Sequence, residues 1–185
     1  MQVVDTQKEF VEVMGKCRDL FSKKLKDYGA AWRIMRPSSV TDQIFIKANR
    51  IRSIEIKGEA LVDEGRIPEY IGIVNYSIIG LIQLELGFAD TDDLSFDKAM
   101  EYYDKYSKQA LELMIRKNHD YDEAWRSMRC SSCLDLILMK IYRTKQIEGN
   151  DGMTIVSEGI DANYMDMINY SVFCLIKLGF CEVAD

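Results

Sequence analysis

A stretch of this chain is written twice. Asp27-Tyr28-Gly29-Ala30-Ala31-Trp32-Arg33-Ile34-Met35-Arg36-Pro37-Ser38-Ser39 returns as Asp120-Tyr121-Asp122-Glu123-Ala124-Trp125-Arg126-Ser127-Met128-Arg129-Cys130-Ser131-Ser132. From Asp27 to Glu55, 15 of 29 positions are identical at a constant offset of 93. After a shift of one residue the register resumes at Glu64-Gly65/Glu158-Gly159, Tyr70/Tyr164 and Asn75-Tyr76-Ser77/Asn169-Tyr170-Ser171. A unit of about 70 residues is longer than a solenoid repeat, so duplication of a bundle half describes it better.

Each copy reads as three helices. Phe10, Val13, Met14, Cys17, Leu20 and Phe21 form a helical stripe behind a predicted capping box, Thr6 to Glu9. The matching helix begins near Ser95. A loop with Trp32 or Trp125 and two serines follows, then a second helix, about Asp42–Lys57 or Asp135–Glu148. The third helix is apolar almost all round, from Tyr70 in copy one and Tyr164 in copy two, and such helices are buried on all sides. Pro68 suits its first turn. The predicted fold is therefore all-α, two pseudo-twofold-related three-helix repeats in one bundle. Residues 1–90 form copy one and 95–185 copy two, joined by an exposed turn, Ala89 to Leu94.

The composition, 48% hydrophobic and 29% charged, is that of a globular chain. A net charge of -6 argues against bulk nucleic acid as partner. The apolar run Tyr70 to Leu84 is shorter than a membrane span, so no membrane partner is expected. Five cysteines, an odd number, and a polar N-terminus lead us to expect a reducing, cytoplasmic setting. Cys130 and Cys133 form a CxxC, but copy one has Pro37 and Val40 there, so the segment needs no thiols to form. Asn75 and Asn169 match a glycosylation sequon, a reading set aside for a mid-helix site.

Both copies carry Lys and Arg three apart, Lys47/Arg50 and Lys140/Arg143, after Arg33/Arg36 or Arg126/Arg129. Such cations can hold phosphates, and a flat aromatic can stack a base. They can equally pair with Asp27, Asp42 and Glu55 and bind helices together. Asn75 and Asn169 need hydrogen-bond partners in their apolar helices, or read a ligand's polar edge. The copies differ at Gly29, Ala30 and Gly72, where copy two has Asp122, Glu123 and Asp166. Asp120, Glu123 and Asp166 could supply oxygens to Mg²⁺; a solvated acidic helix end is the alternative. His119 reads as a surface or capping histidine.

Lys117-Asn118-His119-Asp120-Tyr121-Asp122-Glu123, Lys140-Ile141-Tyr142-Arg143 and Asp166-Met167-Ile168-Asn169-Tyr170 resemble motifs of a family called nucleotide modification associated domain 1. Copy one matches at Lys24, Asp27-Tyr28-Gly29, Lys47, Arg50 and Asn75-Tyr76. The resemblance implies association with nucleotide or DNA-base modification. A looser likeness is to all-helical nucleotide pyrophosphatases of MazG type, whose E-x-x-E motif is missing here.

The leading expectation is a nucleotide-binding or nucleotide-processing protein whose partner is a nucleotide or small phosphorylated molecule. Arg126, Arg129, Lys140 and Arg143 would hold phosphates, Tyr121 or Trp125 would stack the base, and Asn169 would read a polar edge. Asp120, Glu123 and Asp166 would bind Mg²⁺ for phosphoanhydride hydrolysis by metal-activated water. The rival is a non-catalytic helical scaffold. Either leaves homo-oligomerisation open.

Overall fold

The computed structural model describes residues 5–59, 61 and 65–181, so Glu64 of the repeat lies outside the described residues. Six α-helices and two 3-10 turns make up the described chain, with no strand among those residues. Helix α1, Thr6–Tyr28, is followed by a 3-10 turn at Ala31–Ile34, α2 at Pro37–Lys57 and α3 at Arg66–Leu86. The order then repeats: α4, Phe96–Tyr121, a 3-10 turn at Ala124–Ser127, α5, Cys130–Gly149, and α6, Ile160–Lys177.

Two sequence expectations need correction at helix starts. Asp5, not Thr6, caps α1, accepting from the Lys8 amide at 3.1 Å. Thr6 and Glu9 instead reach across to copy two, where Thr6 donates to Glu123 and Glu9 accepts from Arg126. The second helices begin five residues earlier than the expected Asp42 and Asp135, at Pro37 and Cys130. Pro37 fits that first position because its missing N–H would have had no intrahelical partner. The double serines thus belong to the first helical turn. Ser95 caps α4 as its sequence suggests, accepting from Lys98 at 3.2 Å.

The packing pattern is twofold. α2 lies on α3 as α5 lies on α6, and α1 touches α6 as α4 touches α3. The pairs α1–α4, α2–α5 and α3–α6 meet across the axis. α3 and α6 form the centre, buried on nearly every face. By length and composition α3 could cross a membrane, but 72% of its most apolar window is buried inside the protein.

The copies also lock reciprocally. The Tyr164 hydroxyl lies 2.6 Å from Thr41 Oγ1 and 3.2 Å from the Pro37 carbonyl, both in copy one. Its counterpart Tyr70 sits beside Cys174 of copy two. Gly80, the counterpart of Cys174, makes room for Tyr164: a Cβ there would lie 2.8 Å from two ring carbons. Gly80→Ala is therefore expected to lose about 1–2 kcal/mol net, overpacking outweighing the gain in helix propensity. Gly15, exposed on α1 with nothing within 4 Å, is the control; Gly15→Ala should gain up to about 1 kcal/mol. Urea unfolding of the two variants checks both signs.

Candidate functional site

Each copy encloses one cavity at the same place, between the end of its first helix, its 3-10 turn and its third helix. The cavity of copy one measures about 470 Å³ and that of copy two about 360 Å³. Their walls correspond residue by residue. Lys24, Tyr28, Trp32 and Met35 line the first, and Lys117, Tyr121, Trp125 and Met128, all at offset 93, line the second. The third helices contribute Gly72, Asn75, Tyr76 and Ile79 in one case, and Asp166, Asn169, Tyr170 and Phe173, at offset 94, in the other. The repeated motif is thus largely the lining of a pocket. Duplication preserved the pocket, and the differences lie in its polar groups.

The backbone that shapes each pocket differs at one corner. Copy one turns out of α1 through Gly29, at φ 67°, where glycine pays no steric cost. Copy two puts two acids there in left-handed conformation, Asp122 at φ 48° and Glu123 at φ 57°. A Glu tolerates this conformation only when its surroundings hold it. Here Thr6 donates to the Glu123 carboxylate and Arg126 Nε lies 2.8 Å from it. Burial raises the Glu123 pKa, but these partners outweigh it and hold the carboxyl below its ordinary value.

In copy two the aromatic wall is a stack. The Trp125 and Phe173 rings are parallel within 7°, with centroids 4.2 Å apart, and the Arg126 guanidinium lies 4.4 Å from the Trp125 ring. Below the stack lies Asn169, 5% exposed. Neither its amide nitrogen nor its oxygen has a hydrogen-bond partner, and the Trp125 Nε1 is also unpaired. Copy one shows how such an amide is normally satisfied. Asn75 donates to the Cys17 carbonyl at 3.2 Å and accepts from the Tyr103 hydroxyl at 2.8 Å. Tyr103 belongs to α4; its twofold counterpart on α1 is Phe10, which has no hydroxyl. The loss of one oxygen across the axis accompanies the unpaired amide of Asn169. Leaving such groups buried and unpaired costs about 1–3 kcal/mol each.

The floor of the same pocket is charged but compensated. Asp166, on α6, sits between Lys117 at 2.6 Å and Lys140 at 2.7 Å. Burial pushes the Lys117 ammonium down, but the hydrogen bond and charge of Asp166 outweigh it, and the group stays charged well into the alkaline range. In copy one Lys47 and Arg50 share Glu69, one turn earlier on α3, at 3.8 and 3.0 Å. Position 69 corresponds to Asn163, so the carboxylate has moved by one turn between the copies.

Of the expected site residues, the structure brings together Tyr121, Trp125, Asn169 and Asp166 in the pocket, with Lys140 behind Asp166. It does not bring the others there. Arg126 is tied to Glu9 and Glu123. Arg129 is the exposed residue before α5, and Arg143 is exposed in a separate open groove under residues 150–158. The three expected metal ligands do not converge. Asp120 is exposed beside His119, Glu123 faces Thr6 and Arg126, and Asp166 is taken by two lysines. Among the described residues no group of three or more His, Cys, Asp or Glu could hold a metal ion. The CxxC thiols are free, Cys133 packing against Cys174.

Among the pocket residues absent from the expected set are Lys117, Tyr170 and Phe173. Lys117 and Tyr170 have a readable signal, since Lys24 and Tyr76 repeat them. Phe173 stands opposite Ile79 and has none.

A model of the family described as nucleotide modification associated domain 1 matches residues 24–84 and again residues 117–178. The chain belongs to that family, in two tandem copies. The two matches begin at Lys24 and Lys117, the lysines at the two pockets, and take in most of α3 and all of α6. Among curated proteins and solved structures, none matches the chain.

Proposed function

We propose that copy two binds the heterocycle of a nucleotide or nucleoside, with Trp125 and Tyr121 as flat apolar surfaces and Asn169 as the group that reads its edge. One observation carries this: a buried amide with both donor and acceptor unpaired, in the wall of an aromatic cavity also lined by Trp125, whose indole N–H is unpaired. Nucleobases present neighbouring donors and acceptors on a flat ring, the pattern that such an amide complements. Membership of a nucleotide modification associated family points to the same ligand class.

The cations expected to hold phosphates favour a different role. Lys140 and Arg126 already face carboxylates, as does Lys117, while Arg129 and Arg143 are exposed outside the pocket. We therefore assign specificity in copy two to the base edge rather than to phosphates. The carboxylate set does not fit Mg²⁺, which takes oxygen ligands gathered around one point.

The test is titration calorimetry of the full chain with nucleosides and their free bases, beside thermal unfolding. A ligand that binds the native state raises the unfolding midpoint. Asn169→Leu should weaken binding at least about tenfold, a loss of about 1.4 kcal/mol. The same variant should unfold no earlier than wild type without ligand, because it removes two unpaired buried atoms. If Asn169→Leu binds nucleosides as well as wild type, or no base or nucleoside binds wild type, the reading is wrong.

A further inference from the structure

The two cavities share a shape but not a charge. In copy two, Asp166 pairs with both lysines at the pocket floor and offsets one of their two charges. In copy one that position is Gly72, which has no carboxylate, and the Lys47 side chain packs against its bare backbone. A Cβ on Gly72 would lie 2.6 and 2.7 Å from Lys47 Cδ and Cε, and 3.1 Å from Nζ. The lysine stem therefore runs across bare helix backbone and lines the cavity, its ammonium 5.6 Å from the Tyr76 ring. Its acid, Glu69, is 3.8 Å away and makes the shorter contact, 3.0 Å, with Arg50. Lys24, exposed on α1, lines the same cavity and has no ion-pair partner among the described residues. The neutral polar reader of this pocket is already spent, since Asn75 is satisfied by Cys17 and Tyr103. What remains is an apolar chamber walled by Trp32, Ile71 and Ile79, with two ammonium groups and little negative charge.

We propose that this cavity of copy one is a second binding site, for an organic phosphate monoester with a flat body. The body would lie against Trp32 and Tyr76, and the phosphate would take the place that Asp166 fills in copy two, between Lys24 and Lys47. A carboxylate group in one copy marks where an anion belongs in the other. The site is separate from the base-reading pocket of copy two and does not depend on it. Binding at Gly72 rests on the same absent Cβ that admits Lys47, so both the glycine and the lysine are part of the recognition.

The test titrates the full chain by calorimetry with phenyl phosphate and thymidine 5′-monophosphate. Their uncharged counterparts, phenol and thymidine, and inorganic phosphate serve as references, and the variants are Lys47→Met, Lys24→Gln, Gly72→Asp and Asn169→Leu. At least one organic phosphate should bind wild type ten or more times tighter than its uncharged counterpart and than inorganic phosphate, and should weaken with salt. Binding of thymidine 5′-monophosphate alone would identify a nucleotide as the source; binding of both would identify any flat phosphate ester. Lys47→Met and Gly72→Asp should each lose tenfold or more. Gly72→Asp restores the acid–lysine arrangement of copy two and so fills the site from within. Lys24→Gln, at an exposed position, gives the same readout where a change at Gly72 disturbs folding. Asn169→Leu should leave the binding of phenyl phosphate unchanged and remove only thymidine 5′-monophosphate held through its base in copy two. Equal binding of charged and uncharged ligands would overturn the proposal. So would phosphate binding that survives Lys47→Met and disappears in Asn169→Leu, a result that would place the ligand in copy two.

Discussion

Trp125→Ala is expected to lower the stability of the chain by about 3–5 kcal/mol, which for a chain of this size is a fall in Tm of roughly 6–20 °C. The indole is 5% exposed and lies on Phe173 as a parallel stack, with a guanidinium on the ring. Truncation would remove that apolar area from contact and leave a void next to an existing cavity. Solvent entering from the cavity would relieve part of the cost, as would loss of the unpaired Nε1, so the value should fall in the lower half of the range. Trp32→Ala should cost a similar amount. Trp32 is also buried but meets Phe21 at a tilt, with centroids 6.1 Å apart. Guanidinium unfolding followed by far-UV circular dichroism measures both. An unchanged midpoint in Trp125→Ala would mean that the indole is not part of the packed interior, contrary to the stack described above.

Asp166→Ala should be comparably severe, at about 3–5 kcal/mol. The carboxylate is nearly buried and holds Lys140, itself only 12% exposed, at 2.7 Å. Removing it leaves an ammonium buried without a partner. Lys117 contributes less, because its side chain is about half exposed and water screens it. Pairing the change with Lys140→Met separates the two effects. The double variant Asp166→Leu/Lys140→Met should recover most of the loss, since replacing a buried ion pair by apolar groups is often neutral. If Asp166→Ala costs less than about 1 kcal/mol, the pair is an exposed one in solution and the compensated floor of the pocket is not as described. Loss of binding by Asp166→Ala is not a test of metal ligation, since the aspartate is already engaged by two cations.

These two residues show what kind of information was legible in the chain. Trp125 was marked by its recurrence at offset 93, and its burial followed from the apolar helices around it. Asp166 is marked by its absence from copy one, but its partners in the fold, Lys117 and Lys140, are not legible from that. Carboxylates at 120, 123 and 166 look like an oxygen cage when only type and approximate place are known. Which of them face one another depends on helix rotation and on what other chains of side chains reach them. Thr6 and Glu9, more than a hundred residues away in sequence, claimed the segment at 123–126. A local reading assigned those same two residues to a helix cap.

The sequence by itself determined that six helices form two like halves, because hydrophobic period and repeated register are local properties carried by every turn of the chain. It also determined that the two third helices are buried at the centre, since nothing else can cover a helix apolar on all sides. Only the tertiary structure decided what the halves do differently. One hydroxyl, on Tyr103 but not on Phe10, donates to the amide oxygen of the opposite copy in one direction across the axis and is missing in the other. The side chain at position 72, a hydrogen where its counterpart Asp166 has a carboxymethyl group, decides whether a lysine or a carboxylate lines a pocket. Both are contacts between residues far apart in sequence, and a hydrogen bond or a steric contact exists only once distance and direction are set by the fold.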